Sequence, residues 1–121
     1  MNIKIRSKDY ELTPAIEEYI NKKLGSLDKF FGGDNVLCEV EIGKSTEHHK
    51  SGDIFSAEVN ISQPGSRQFY AKSEQSDLYS AVDMVRDDAE REIVSEKNKK
   101  ETIFRKGALK LKNIIKGLTN R

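Results

Sequence analysis

Residues 55–62 read Phe-Ser-Ala-Glu-Val-Asn-Ile-Ser, and this stretch decides the architecture. Phe55, Ala57, Val59 and Ile61 alternate with Ser56, Glu58, Asn60 and Ser62, the period of a strand with one covered and one wet face. Upstream, Val36, Cys38, Val40 and Ile42 alternate in the same way with Glu39 and Glu41. Downstream, Pro64-Gly65 suits a tight turn, and Arg67 to Ser73 predicts a further strand with Phe69 and Ala71 on one face. Ile3 and Ile5 alternate with Asn2, Lys4 and Arg6, so the chain opens on a strand. Alternation of this kind points to an antiparallel sheet with one face solvated rather than a buried parallel one.

Two helices interleave with these strands. Thr13-Pro14 forms a helix start, with Pro at the first helical position and the Thr hydroxyl able to accept a free amide hydrogen bond. Ile16, Ile20, Leu24, Leu27 and Phe31 follow at helical spacing, widened by Tyr19 and Phe30, and Gly32-Gly33 predicts the end. Ser76 or Asp77 caps the second helix, whose buried stripe is Leu78, Val82, Val85, Ala89 and Ile93, with Ala81 beside it. The order β-α-β-β-β-α predicts an α+β domain over residues 1–100, a four-stranded sheet with two helices packed on one face.

A different segment follows. Phe104, Ala108, Leu111, Ile115 and Leu118 repeat at alternating spacings of four and three, with Arg105, Lys106, Lys110, Lys112 and Lys116 between them. This predicts a basic amphipathic extension over 101–121, interrupted by Gly107, ended near Gly117 and ordered only against the body or a partner. Charge divides the chain at the same place. Residues 97–121 hold nine basic and one acidic side chain, whereas the preceding 96 residues carry 12 basic and 19 acidic ones. Clustered cations displace counterions from phosphates, so a polyanionic partner is expected; charge alone leaves RNA, DNA and an anionic membrane open.

Chemistry-bearing patterns are few. Glu47-His48-His49 lacks a third spaced ligand and reads as a loop rather than a metal centre. Cys38, the single cysteine, sits among apolar neighbours at strand spacing and reads as a buried thiol in a reducing compartment. No nucleophile–base pairing, phosphate-cradling glycine loop or paired-carboxylate pattern stands out, so neither catalysis nor a cofactor is expected. No apolar run reaches transmembrane length and Met1–Lys8 is unlike a signal peptide, which predicts a cytoplasmic protein.

Several local strings, in order, resemble the ribosome hibernation promoting factor family, which includes ribosome-associated inhibitor A. Ser7-Lys8 and Leu12-Thr13-Pro14-Ala15-Ile16 resemble its first strand exit and helix start. Lys23-Leu24, Leu27 and Lys29-Phe30-Phe31 are similar to its first helix, and Asp77-Leu78-Tyr79-Ser80-Ala81-Val82-Asp83 resembles the start of its second. Glu90-Arg91, Lys97 and Lys99 continue the likeness, which spans roughly residues 2–100. The resemblance implies a short-form translation inhibitor, active in stress or stationary phase. Such proteins occupy the mRNA and tRNA channel of the small ribosomal subunit, and the implied partners are that subunit, its rRNA and the 70S ribosome. Membrane and small-molecule partners are not implied.

By the same resemblance, the residues expected to meet rRNA are Lys8, Lys22, Lys23, Lys29, Arg86, Arg91, Lys97, Lys99 and Lys100. Arg91 is equally placed to pair with Asp87 or Asp88 one turn earlier. Tyr79 is expected to pack its ring on the sheet rather than stack on a base. The chain departs from the family at Ser26 and Asp88, where lysine is common, and cations of the extension are expected to restore the missing phosphate contacts. Two other functions compete: a peripheral membrane protein anchored by the basic amphipathic segment, and a general duplex-RNA-binding module.

Overall fold

The computed structural model describes residues 1–33, 35–45 and 52–119. Its elements are β1 (Asn2–Lys8), α1 (Pro14–Gly25), a 3-10 turn (Ser26–Phe30), β2 (Leu37–Ser45), β3 (Ile54–Ser62), β4 (Phe69–Gln75) and α2 (Leu78–Thr119). The four strands form one sheet in sequence order, with α1 and α2 packed on one face as expected.

The sheet is mixed rather than antiparallel. β2–β3 and β3–β4 pair antiparallel, but β1 pairs with β2 in parallel, Ile3 opposite Cys38 and Ile5 opposite Val40. The reason is topological. A helix crosses between β1 and β2, and a strand that returns beside its predecessor through a helical crossover runs in the same direction. Side-chain alternation reports which face is covered and carries no information on strand direction, so the sequence pattern left this pairing undetermined.

α1 starts where the residues dictate: Thr13 Oγ1 accepts from the Ile16 amide at 3.3 Å, with Pro14 at the first position. It ends earlier than its apolar spacing suggests. Gly25 weakens the helix, and the Ser26 hydroxyl donates to the Lys23 carbonyl at 2.6 Å, competing with the regular ladder. The chain therefore tightens into the 3-10 turn, which still buries Leu27 completely. Gly33 then adopts φ +101°, a left-handed conformation that a side chain would strain.

Beyond β3, the Ser66 amide closes the Pro64-Gly65 turn onto the Gln63 carbonyl at 3.0 Å, and Gly65 has φ +78°, as a type II turn demands. β4 begins two residues later than predicted, and Arg67, ahead of it, pairs with Glu92 and Glu96 of α2, each at 3.2 Å. Asp77, not Ser76, caps α2: its carboxylate accepts from the Ser80 amide at 3.1 Å.

The core lies between the helices and the sheet: Ile16, Ile20 and Leu24 of α1, Leu27, alternate residues of β2 to β4, and Leu78, Ala81, Val82, Val85, Ala89 and Ile93 of α2. Cys38 is wholly buried there, and that burial, followed by the neighbouring Glu39 charge, pushes its thiol up to about 12.

α2 does not stop at the domain boundary. It is one 42-residue helix, Leu78–Thr119, that runs through Gly107 without a break, so the predicted interruption is absent. A glycine costs about 1 kcal/mol against alanine, too little to break a run in which the helix formers Lys and Leu recur. Every described residue from Lys97 to Gly117 is exposed, so the body buries none of this stretch.

Candidate nucleic-acid interface

α1 and α2 run parallel, and their outward edges meet in a polar seam. The Tyr19 hydroxyl donates to Asp83 at 2.5 Å, and the Tyr19 and Tyr79 rings meet edge to face at 4.8 Å. The carboxylate acceptor, then partial burial, raises the Tyr19 hydroxyl to about 12. Tyr79 thus packs on α1 rather than on the sheet, and keeps 41% of its surface exposed. Lys23 Nζ stands 3.4 Å from Asp83 and 5.7 Å from the Tyr19 ring centre. One turn on, Arg86 donates through Nε to the Ser26 hydroxyl at 3.0 Å and pairs with Asp87 and Glu90.

The expected RNA-binding cations fall into two groups. Lys23, Arg86 and Arg91 are held by carboxylates of α2, Arg91 by Asp88. Of these, Arg86 is the most committed, with only 16% of its side chain exposed. A phosphate would have to displace at least one carboxylate and the Ser26 hydroxyl to reach it. Arg91 is 69% exposed, so the Asp88 pair, worth about 0.3–0.5 kcal/mol at such spacing, exchanges easily for a phosphate.

Lys8, Lys22, Lys29, Lys97, Lys99 and Lys100 are exposed and have no carboxylate partner among the described residues. Lys97 and Lys100 line a recess of about 170 Å³ at one end of the body, together with Phe30, Phe31, Gln63, Phe69 and Glu96, whose carboxylate pairs with Arg67. Lys29 rests on that wall, its Nζ 5.2 Å from the Phe30 ring centre. These three lysines, from segments almost 70 residues apart, are brought to one end of the molecule. Lys8 is not with them. It lies at the far end of the sheet, in register with Gly43. Lys22 shares a shallow surface with Glu17, Glu18 and Asn21 of its own helix, where the acids dilute its field.

Sequence reasoning missed Gln63, which closes the recess floor by donating to the Gly32 carbonyl at 2.6 Å. Its one visible signal was proximity to the Pro64-Gly65 turn, which says nothing about Gly32. Among the described residues, no three His, Cys, Asp or Glu side chains are grouped to hold a metal ion. Glu47, His48 and His49 lie outside the described residues. No helix among the described residues is long and apolar enough to cross a membrane.

Comparison with known proteins places this geometry. The chain is 31% identical over 90 residues to the ribosome hibernation promotion factor of Lactococcus lactis, covering 74% of this chain and 45% of that one. It is 28% identical over 105 residues to the Bacillus subtilis protein of the same name, covering 87% and 53% respectively. The chain thus spans about half the length of these two relatives. Its fold superimposes on the crystal structure of the Thermus thermophilus Protein Y N-terminal domain with a TM-score of 0.66 and 30% identity, covering 77% of this chain and 96% of that domain. Residues 3–101 match the family model described as sigma 54 modulation protein / S30EA ribosomal protein, and the chain belongs to that family.

Proposed function

We propose that this protein binds the ribosome and silences it, by filling the mRNA and tRNA channel of the small subunit during stress or stationary phase. The observation that carries the reading is the family match across the whole folded body, in relatives named for ribosome hibernation. The geometry supports it physically. Lys29, Lys97 and Lys100, without carboxylate partners among the described residues, gather at one end of the body, and Lys99 continues their charge along α2. Arg91 joins them by exchanging Asp88 for phosphate. Lys8, Lys22 and Lys23 extend the contact set along the remaining edges.

The mechanism needs no catalytic group. Helices seated on a sheet do not read the deep, narrow major groove of RNA, so recognition runs through shape and backbone phosphates. The seam of Asp83, Asp87 and Glu90 with Lys23 and Arg86 is largely neutralised within itself, so it attracts phosphate less than the lysine cluster does and restricts the poses available. Adding the protein to a reconstituted translation reaction is expected to stop it and to compete with tRNA for small subunits. Inhibition with undiminished tRNA binding would rule out channel occupancy.

A further inference from the structure

The exposed half of α2 carries more than charge. Ile103, Phe104, Leu111 and Ile114 are 70%, 75%, 60% and 59% exposed. At about 100° per residue they share, with Ala108, one face about 140° wide. Basic residues border it on both sides, Lys110 next to Ile103 and Lys112 next to Ala108, and residues 102–119 contain five cations and no anion. This face lies in phase with the stripe that packs Val85, Ala89 and Ile93 onto the sheet. The side of α2 that covers the core therefore continues past the end of the body as an apolar overhang.

Phosphate contact alone would leave this apolar face in water, and a contiguous patch of that kind marks an interaction surface. Gly107 narrows the choice of occupant. It lies inside the apolar face, between Ile114 and Leu111 in rotation, and a Cβ there would meet nothing within 4 Å beyond its chain neighbours and the backbone of its own helical turn. The glycine weakens the helix without serving any contact inside the molecule, which suits close approach of a partner's backbone. A lipid surface has no use for that gap. A second copy of the segment brings the same positive charge and is repelled.

Resting on the ribosome reading above, we infer that residues 103–117 dock as a helix into an apolar groove rimmed by acidic side chains on a protein component of the ribosome. The apolar face enters the groove, Gly107 admits the partner's backbone, and Lys106, Lys110 and Lys112 meet the acidic rims.

The test uses the full chain with purified 70S ribosomes. Gly107→Ala raises the helicity of the free protein, since alanine is the better helix former, yet the added methyl is expected to weaken ribosome binding by about tenfold. A photo-reactive benzoyl-phenylalanine in place of Phe104 is expected to label a ribosomal protein, and the same group at Asn113, on the opposite face, is expected not to. Labelling of rRNA alone, or of a second copy of this chain, overturns the inference while leaving ribosome binding intact. So does a Gly107→Ala chain that binds as tightly as the parent. Tighter binding of that variant to anionic phospholipid vesicles, with ribosome affinity unmoved, overturns it in favour of a membrane surface. Wild-type protein that fails to pellet with ribosomes overturns both readings together.

Discussion

The Ser26 hydroxyl accepts a hydrogen bond from Arg86 Nε at 3.0 Å, across 60 residues of sequence, and so ties the turn after α1 to the outward edge of α2. By the resemblance drawn from the sequence, lysine is expected where Ser26 stands. The serine holds back a second cation as well as failing to supply one, because the guanidinium it helps to position is also held by Glu90. Replacing Ser26 with lysine removes that acceptor and sets two positive charges against each other. Ser26→Lys is expected to tighten ribosome binding and steepen its salt dependence by about 0.7–0.9 in the log–log slope per phosphate gained. Pelleting at several salt concentrations checks this, and an unchanged slope would contradict it.

Asp88 acts in the same sense on Arg91. Asp88→Lys changes the local charge by two and releases the arginine. Because the ion pair it removes is exposed at one end, stability should move by less than about 1 kcal/mol. Thermal unfolding is expected to shift little while ribosome affinity rises. A large loss of stability would show instead that Asp88 is part of the fold's framework.

Tyr19 gives the fold an alkaline limit. Its hydroxyl is raised from the ordinary 10.0 to about 12, chiefly because it donates to Asp83. A group whose pKa is higher in the folded state contributes stability in full below the unfolded value and loses it as pH climbs through the folded one. The parent protein should therefore lose stability between about pH 10 and 12 through this group. Tyr19→Phe is expected to cost about 1 kcal/mol near neutrality and to remove that component of the alkaline slope. Denaturant titrations at pH 8, 10 and 11.5 would reveal it; parallel curves for the two proteins would refute the assignment.

Leu24 and Cys38 report on the core, both fully buried. Leu24→Ala should destabilise by about 2–5 kcal/mol, through lost transfer energy and the cavity left behind. The Cys38 thiol, pushed up to about 12, should resist iodoacetamide at pH 8 until denaturant opens the domain. Rapid alkylation of the native protein would mean that β2 is not covered as described.

Much of this was legible in the residues. The alternation in 36–42 and 55–62 and the stripes of both helices are direct consequences of one face being dry, and their apolar residues lie in the core, except that Tyr19, Phe30, Phe31 and Phe55 are only partly buried against it. The parallel β1–β2 pair was not legible, since strand direction depends on what lies between strands. Nor was the end of α1, where a serine hydroxyl and a glycine outweigh a periodicity that runs on to Phe31. The charged residues of the candidate interface were visible as types and partly as positions. Their pairing was not: Arg86 and Lys23 are held by Asp83, Glu90 and Ser26 through contacts between α1 and α2 that no local pattern encodes. The extension shows the reverse. Its apolar spacing was read correctly, whereas its continuity with α2 through Gly107 emerged only in three dimensions.

The most direct test of the central claim is sedimentation of the full chain with purified ribosomes through sucrose gradients at low and then high salt. Phosphate contact through Lys29, Lys97, Lys99 and Lys100 predicts that the protein travels with small subunits and 70S particles at low salt and is shed as salt rises. Recovery solely at the top of the gradient at low salt would contradict the account.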